Sequence, residues 1–450
     1  MKRFIGDKVF YMTTLSIALP IMLQQFITTF VNLIDNIMIG SIGGIALTSV
    51  TVANRYYMIF NSMLFGVCGA AAIYVAQFYG AKKNDKCQEV FNMILLWVLV
   101  LAIAFISVLF IAPEMVIKIF TDTPEIVSES LKYIEYAKYA YLPNGISYAI
   151  MLAMRSIGIN KVQLKVGSIA VLTNTILNYL LIFGNFGFPE MGIQGAAIAT
   201  VCARLIEMMI YIVILCRHKH FFNLDIKGIF TINKTLMASV MKKALPLTFN
   251  EIMYSLGISA IFLSYMRTDE YLVSAIAVVD TVTQILFIIF GGLSSAVSIM
   301  IGKKLGANEL SEAKDNANKL IVFGVMVAII VGIVAFIIAK FIPEFYNLDQ
   351  EIKNTITILI RIKSVSIILH VVNVCTFFIL RAGGDIVSTL ILDSGMLWVG
   401  GVLVSTILSM YTSIPLITLY LFVEACDAVK LFFSLYFFKK GQWIKNITAM

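Results

Sequence analysis

The sequence predicts an all-α integral membrane protein with twelve transmembrane helices in two parallel six-helix lobes. Of its 450 residues, 60% are hydrophobic and only 13% are charged, and a soluble protein of this size needs far more charge on its surface. Apolar runs of about 20 residues, each long enough to cross a hydrocarbon core of about 30 Å as a helix, recur along the whole chain. Landmarks of the first half return in the second half at one fixed offset, the one that separates Pro20 from Pro246.

The offset indicates an internal duplication. The repeated landmarks are Ala18-Leu19-Pro20-Ile21 with Ala244-Leu245-Pro246-Leu247, Gly80-Ala81 with Gly306-Ala307, and Arg155 and Gly158 with Arg381 and Gly384. We therefore predict two copies of one unit, each about half the length of the chain. If each copy has six spans, both enter the membrane from the same side, and parallel repeats of this kind occur in transporters with a substrate site between the halves.

The apolar runs give twelve predicted spans. They cover residues 10–39, 45–79, 90–112, 132–157, 163–186, 193–216, 243–266, 271–302, 319–342, 354–381, 386–410 and 414–438. The N-lobe is predicted over 1–216 and the C-lobe over 243–450. The polar stretch 217–242 between them is the predicted cytoplasmic linker.

Basic residues predict the orientation of the spans. One set of alternate segments carries 23 Lys and Arg, and the other carries only five, namely Lys118, Lys132, Arg267, Lys340 and Lys353. Cytoplasmic loops carry the excess of Lys and Arg, so both termini are predicted to be cytoplasmic. The net charge of +8 is then a topology signal, and no nucleic acid partner is expected.

Ionisable residues inside spans are costly and are therefore functional candidates. Asp35 lies deep in the first span with no cation within a helical turn. Asn174 and Asn178 lie one turn apart on the fifth span, and Thr200 lies in the sixth. Such oxygens suit a proton or a hard cation such as Na⁺, whereas the alternative is that the amides only cross-link helices.

The acids of the second copy fall at different positions. Ile261 is the counterpart of Asp35, and Glu251 is the counterpart of Gln25. Glu251 follows Pro246 in the seventh span, and Asp280 lies in the eighth. We expect both acids to handle a cation or a proton, with an unseen partner on a neighbouring helix as the alternative for each.

Other charges have structural explanations. Arg204 and Glu207 are three residues apart, as are Asp427 and Lys430, so each pair can neutralise itself locally. Asp385 is close enough in sequence to pair with Arg381. The six cysteines are scattered without a CxxC pair, and the His218-x-His220 sequence has no second ligand cluster, so neither a disulfide nor a bound metal is expected there.

Aromatic and methionine residues predict an adaptable cavity between the lobes. Gln24, Met22, Phe287 and the span-four residue Tyr139 are the candidate lining residues. Aromatic faces and polarisable thioethers suit flat organic cations. The same residue types are equally ordinary in helix–helix cores.

The motifs together resemble the multidrug and toxic compound extrusion (MATE) family, closest to its bacterial MepA-like and NorM-like members. The resemblance runs through Gln77-Phe78-Tyr79-Gly80-Ala81, Arg155-Ser156-Ile157-Gly158, Gly187-Phe188-Pro189, Gly195-Ala196-Ala197-Ile198-Ala199-Thr200 and Arg381-Ala382-Gly383-Gly384-Asp385. It implies a V-shaped pair of lobes in the bacterial plasma membrane, expected to act as a monomer. The implied activity is export of cationic drugs against a Na⁺ or H⁺ gradient, without a further cofactor.

By motif position, Asp35, Asn174, Asn178 and Thr200 match the family's N-lobe cation site, and Glu251 matches an acid in the C-lobe. Position 178 is often Asp in members with that N-lobe site, and this chain has Asn. The choice between Na⁺ and H⁺ therefore stays open.

Three other function classes compete with export. A lipid-linked precursor or oligosaccharide flippase is the nearest, but its cavity should carry several unpaired basic residues for pyrophosphate. A membrane enzyme is disfavoured because HExxH, clustered His or Cys and a Gly-flanked serine nucleophile are missing. A channel is disfavoured by the two-copy plan.

Overall fold

The computed structural model describes residues 4–217, 222–231, 233–269, 271–346 and 348–448, and the regular structure in these ranges is helical. His218 and His220 lie outside them. The first repeat forms α1 (Lys8–Gly40), α2 (Gly44–Gly80), α3 (Asn84–Ile111), α4 (Pro113–Lys118), α5 (Pro124–Ala137), α6 (Tyr141–Ser156), α7 (Lys161–Phe183) and α8 (Gly192–Arg217). After α9 (Ile226–Phe230), the second repeat forms α10 (Lys234–Thr268), α11 (Val273–Gly306), α12 (Leu310–Ile338), α13 (Gln350–Ala382), α14 (Ile386–Leu390), α15 (Leu403–Tyr411) and α16 (Leu416–Lys440).

Ten helices in the described ranges are long and apolar enough to cross a membrane, by length and composition. Two of the twelve predicted spans fall outside this set for different reasons. The fourth predicted span is divided by a 3₁₀ turn at Lys138–Ala140, which leaves α5 and α6 too short individually. The twelfth is a continuous helix, α16, but it carries Glu424, Asp427 and Lys430 near its middle.

The predicted linker 217–242 contains regular structure. Within it, α9 occupies Ile226–Phe230, and α10 begins at Lys234. The Asn233 side chain accepts hydrogen bonds from the first amides of α10, at 3.0 Å from Thr235 and 3.3 Å from Leu236. This capping satisfies amides at the helix start, and the capping residue lies well before the first strongly apolar stretch.

The chain forms two compact units. The N-terminal unit contains Leu23–Tyr79 and Lys83–Thr248, and the C-terminal unit contains the residues up to Met22, Gly80–Lys82 and the residues from Phe249 onward. Helix α1 therefore leaves one unit and enters the other after Met22, and α10 does the same after Thr248. The offset between these two crossing points equals the repeat offset, so the duplication includes the crossing.

Close glycine contacts hold each crossing helix in place. Within the N-terminal unit, a Cβ atom on Gly66 would lie 2.5 Å from the Thr248 Cα atom. Within the C-terminal unit, a Cβ atom on Gly292 would lie 2.7 Å from the Ala18 carbonyl oxygen. Gly66 and Gly292 are also related by the repeat offset, so both repeats use a glycine on their second long helix to admit the first half of a crossing helix.

We expect Gly66→Ala and Gly292→Ala each to lower the thermal midpoint of the purified protein. The added methyl group meets backbone atoms in both cases, and overpacking of this kind costs about 1–3 kcal/mol. Gly44→Ala is the matched control because no atom lies within 4 Å of its Cβ position. A midpoint unchanged in Gly66→Ala would contradict the close approach.

The core of the C-terminal unit lies between α11, α12 and α13. Leu293, Val297, Leu320 and Val371 are all buried there. The C-terminal tail adds Trp443, which is fully buried and packs against the Phe438 ring at a centroid distance of 5.6 Å. The tail is therefore part of the folded unit.

The predicted topology is testable at two positions on either side of α3. Lys83 and Asp122 are both exposed, and α3 alone, at 28 residues, is about 40 Å long. We expect cysteines at these positions, in a background lacking the six native cysteines, to react with impermeant maleimide from opposite sides of the membrane. Labelling of both from outside whole cells would overturn the predicted orientation.

Candidate functional site

A cavity of about 460 Å³ opens inside the N-terminal unit between α1, α2, α7 and α8. Asp35, Asn174, Asn178 and Thr200 all line it. These residues come from three helices that are widely separated along the chain. The structure therefore brings together the whole predicted N-lobe site.

A chain of hydrogen bonds joins the four side chains. Asn178 Nδ2 donates to Asp35 Oδ1 at 2.9 Å and to Asn174 Oδ1 at 3.3 Å. Asn174 Nδ2 donates to Thr200 Oγ1 at 3.4 Å, and the Thr200 hydroxyl donates to the Ala196 carbonyl oxygen at 3.0 Å. Asn178 thus cross-links α1 and α7, as an amide in a helical bundle often does.

The oxygen atoms of these four hydrogen-bonded side chains are suited to a hard cation. Asn178 is buried and its Oδ1 atom has no hydrogen-bond donor among the described residues. Only the Oδ1 atom of Asp35 takes part in the chain. A carboxylate oxygen, an amide oxygen and the Thr200 hydroxyl are the ligand types that hard cations prefer, and the same carboxylate can instead take a proton.

The predicted Arg204–Glu207 pair is confirmed. Arg204 Nη1 lies 2.7 Å from Glu207 Oε2, and both residues line the same cavity as Asp35. Because each neutralises the other, neither supplies a full opposite charge to Asp35. No ion pair to Asp35 is found within the ranges that the structure describes.

Glu251 forms an ion pair with a residue of a neighbouring helix, which was the alternative to a role in cation or proton handling. Arg381 Nη1 lies 3.1 Å from Glu251 Oε1, and the Arg381 side chain is only 5% exposed. Glu251 therefore forms a largely buried ion pair between α10 and α13, and its expected role in cation or proton handling stays a prediction. Asp385 instead caps α14 by accepting a hydrogen bond from the Ser388 amide at 3.3 Å.

Asp280 lies elsewhere, in a second cavity of about 390 Å³ inside the C-terminal unit. Five further charged or imidazole side chains line this cavity with it and were not predicted as site residues: Lys363, His370, Glu424, Asp427 and Lys430. They lie inside the tenth and twelfth predicted spans. The rule that selected Asp280, an ionisable group at membrane depth, therefore applied to them equally.

The local Asp427–Lys430 pair was a wrong prediction. Asp427 Oδ2 contacts His370 Nδ1 at 3.1 Å, and Lys430 Nζ contacts Asp393 Oδ1 at 3.7 Å. Asp393 lies in a π-helical turn, Ile391–Gly395, and also accepts a 2.7 Å hydrogen bond from Asn250. The irregular turn aims Asp393 at α10 and α16, which sequence spacing does not show.

The four predicted substrate-cavity residues fall in different places. Gln24 lines the N-terminal cavity and accepts a 3.0 Å hydrogen bond from Gln163, and Phe287 lines the C-terminal one. Met22 packs against a small core around Ile21. Tyr139 is half exposed and contacts the Phe110 ring, and it lines neither of these two cavities.

Solved structures share this fold over nearly its full length. A multidrug resistance MATE family transporter of the MOP superfamily, solved in an outward-facing conformation, has a TM-score of 0.88 at 16% identity and covers 98% of this chain and 97% of its own. A MOP superfamily transporter from Pyrococcus furiosus gives 0.86 at 15% identity, with the same two coverages. At these identities, the likeness shows the fold.

Similar sequences include named bacterial proteins. "Probable multidrug resistance protein YoeA" of Bacillus subtilis is 23% identical and covers 95% of this chain and 93% of its own length. "Probable multidrug resistance protein NorM" of Thermotoga maritima is 21% identical, with coverages of 96% and 93%. The MatE family model matches residues 20–180 and 246–399, two segments whose starts are again separated by the repeat offset. The chain is therefore a multi-pass membrane transporter, not an enzyme, and it belongs to the MatE family.

Proposed function

We propose that the protein exports organic cations, including drugs, from the bacterial cytoplasm in exchange for Na⁺ or H⁺ bound at Asp35. The observation that carries the proposal is the hydrogen-bonded chain of Asp35, Asn178, Asn174 and Thr200 on the wall of an open cavity. A carboxylate at membrane depth must hold a cation, exchange a proton or find a partner. The names of the similar sequences support a drug as cargo.

The coupling follows from charge. A cation that enters from outside neutralises the Asp35 carboxylate and favours the state that releases drug. Release of that cation inside restores the charge and favours the state that takes up drug. A ligand shifts the equilibrium between two states only if it binds one state more tightly than the other. In this proposal, the cation bound at Asp35 is that ligand.

The membrane potential and the cation gradient can together supply the free energy for drug export. Moving one charge through 100 mV supplies about 2.3 kcal/mol, and a tenfold cation gradient adds about 1.4 kcal/mol. Their sum corresponds to a gradient of roughly 500-fold for a drug without net charge. A monovalent cationic drug exchanged one for one with the cation moves no net charge, so its gradient is limited to about tenfold per cation. No nucleotide hydrolysis is required.

The test is drug-driven cation movement in proteoliposomes that contain only this protein. An outward drug gradient should drive uptake of either Na⁺ or H⁺, and varying the sodium and pH gradients separately identifies which. Liposomes that contain the Asp35→Asn variant are the control. Drug flux that responds to neither gradient would contradict the proposal.

A flippase for lipid-linked pyrophosphates is less well supported by the charges. Arg204 is paired with Glu207, Lys363 with Glu424 and Lys430 with Asp393. The basic groups that line the two cavities are therefore already neutralised, whereas a pyrophosphate needs free ones.

We further propose that the protein is a monomer, since one chain supplies both units. We also propose that both of its termini are cytoplasmic.

A further inference from the structure

The surface of the C-terminal unit carries an arginine among exposed apolar side chains. Arg361 is exposed on α13, and so are Ile358 before it and Val365 after it. Residues three and four apart share one face of a helix. The three side chains therefore form one stripe along α13, with the charge in the middle.

The neighbouring helix α12 extends this apolar surface. It packs on α11 and α13, and its exposed residues include Ile333, Phe336 and Ile337. A large exposed apolar surface on a membrane-spanning helix is one that lipid covers. The Arg361 guanidinium lies 5.2 Å from the centre of the Phe336 ring, so it belongs to this lipid-facing surface.

Arg361 also lies well inside the length of its helix. It is eleven residues after Gln350, the first residue of α13, which corresponds to about 16 Å along the helix axis. The Phe336 ring is its contact within the described part of the chain, and no ion pair or hydrogen bond joins it to those residues. A charged side chain at membrane depth is costly unless it extends to the headgroups or finds a partner.

A second cation lies one helical turn beyond Phe336. Lys340 is exposed and follows Phe336 by four residues, which places it on the same face. The helical turn continues this far, because the Phe341 amide donates a hydrogen bond to the Ile338 carbonyl oxygen at 2.9 Å. Lys340 therefore lies nearer the end of α12, where the headgroups of the lipid begin.

The acids near these two cations are engaged or distant. Glu344, four residues after Lys340, is paired with Lys353 at 2.9 Å. Glu351 is exposed on α13, but ten residues separate it from Arg361, which corresponds to about 15 Å. In the described ranges, the contacts of Lys340 and Arg361 are with aromatic rings and not with acids.

The equivalent place in the first repeat has a different charge. By the repeat offset, Phe110 is the counterpart of Phe336, and Glu135 is the counterpart of Arg361. Lys138 lies 4.0 Å from the centre of the Phe110 ring, and the exposed Glu135 three residues before it balances its charge. Both repeats thus place a cation over this ring, and of the two places the one in the C-terminal unit has the net positive charge.

We propose that Arg361, Lys340 and Phe336 bind the headgroup of an anionic phospholipid, such as phosphatidylglycerol. The planar guanidinium can hold two phosphate oxygens at once, and Lys340 adds a second positive charge nearer the water. The acyl chains then cover the apolar side chains of α12 and α13. The lipid comes from the leaflet at the α12–α13 connection, which is the outer leaflet in the proposed orientation, and the site does not depend on the exported drug or the coupling ion.

Two other sources of a phosphate group fit this site less well. A free phosphate ion would have to leave water for a surface that is otherwise apolar. Phosphatidylcholine has the same phosphate and acyl chains, but its trimethylammonium group would be repelled by the two cations. A basic residue near an anionic lipid favours binding by about fivefold, so two of them predict a preference of about 25-fold for phosphatidylglycerol.

The test is photocrosslinking of the full-length protein in nanodiscs of phosphatidylcholine. Two probes are added separately in trace amounts, one with a phosphatidylglycerol headgroup and one with a phosphatidylcholine headgroup. Each carries the same diazirine near the start of one acyl chain. Cross-linked peptides are identified by mass spectrometry, and the measured quantity is the fraction of all cross-links that falls on residues 326–365.

We expect this fraction to be at least tenfold larger for the phosphatidylglycerol probe than for the phosphatidylcholine probe. Arg361→Gln and Lys340→Gln should each lower the ratio about fivefold, and Arg361→Lys should retain most of it. The matched control is Lys138→Gln, which removes the cation over the equivalent Phe110 ring and should leave the ratio unchanged. Excess glycerol 1-phosphate, the headgroup without acyl chains, should not displace the probe.

Equal fractions for the two probes in the wild-type protein would overturn the proposal, as would an unchanged ratio in Arg361→Gln, because Arg361 would then only extend toward the water. Displacement by glycerol 1-phosphate would overturn a lipid as the source of the phosphate. Cross-links between two protein copies through residues 326–365 would show that a second copy covers this surface, which would also overturn it. Lys340 is exposed at a helix end, so Lys340→Gln decides the matter if Arg361→Gln does not fold.

Discussion

Asp35→Asn is expected to abolish uphill drug efflux while leaving the protein folded and inserted. Asn has nearly the volume of Asp and can still pair with the Asn178 amide, which lies 2.9 Å from Asp35 Oδ1. It cannot carry the negative charge that holds a cation or proton at membrane depth. Efflux is measured in energised cells or proteoliposomes, and the rate should fall to that of empty membranes, while drug binding to the purified variant persists.

The matched control for this charge removal is Asp122→Asn, at an exposed position outside the long helices. Its efflux should equal that of the wild type. Asn178→Asp supplies a complementary variant, since it adds a second carboxylate to the same hydrogen-bonded chain and should make transport more dependent on cation concentration. Uphill efflux retained by Asp35→Asn would remove Asp35 from the coupling role.

Arg381→Met is expected to give the largest loss of stability among single substitutions. It leaves Glu251 as a largely buried charge without its 3.1 Å partner, and breaking a buried pair from one side costs about 3–5 kcal/mol. We expect low yields of folded protein and a lower thermal midpoint in detergent. The double variant Arg381→Met/Glu251→Met should recover most of the loss, because neither charge then remains buried.

Lys353→Met is the comparison for the same change at an exposed pair, where its partner Glu344 is 63% exposed. Exposed pairs contribute about 0–1 kcal/mol, so its midpoint should barely move. If the thermal midpoint of Arg381→Met equalled that of Lys353→Met, the Glu251–Arg381 ion pair would not contribute to stability. A double variant less stable than Arg381→Met would contradict the mechanism of rescue.

The helices and the individual residues of the N-terminal site could be predicted from the sequence because both depend on local patterns. Membrane spans are set by long apolar runs, and Asp35 was conspicuous because no opposite charge lies near it in sequence. That Asp35, Asn178, Asn174 and Thr200 meet in one cavity was supplied by the resemblance, since they lie on three separate helices. The cation that binds there is not determined by those side chains, because the same oxygens suit either ion.

The C-terminal cavity was missed because its charges are paired across helices. Lys363 and Glu424 are 61 residues apart, and His370 and Asp427 are 57 residues apart. Local spacing instead pointed to Asp427 with Lys430, which lie on one helix. Sequence spacing predicts contacts between residues three or four apart on one helix. The pairs that define this cavity join α13 to α16, so they can be identified only from the packing of these two helices.

The crossing of α1 and α10 between the two units also sets the order of assembly. The C-terminal unit includes residues up to Met22, which are made first, and the short segment Gly80–Lys82, yet the rest of this unit lies from Phe249 onward. At about 5–20 residues per second, synthesis of the intervening chain takes roughly 10 to 45 s. During that time the start of α1 lacks its native neighbours from Phe249 onward, such as Gly292, which lies against Ala18. The N-terminal unit also waits for Thr248. Neither gene half encodes a complete unit, so fragments divided between α8 and α10 should accumulate only when they are expressed together.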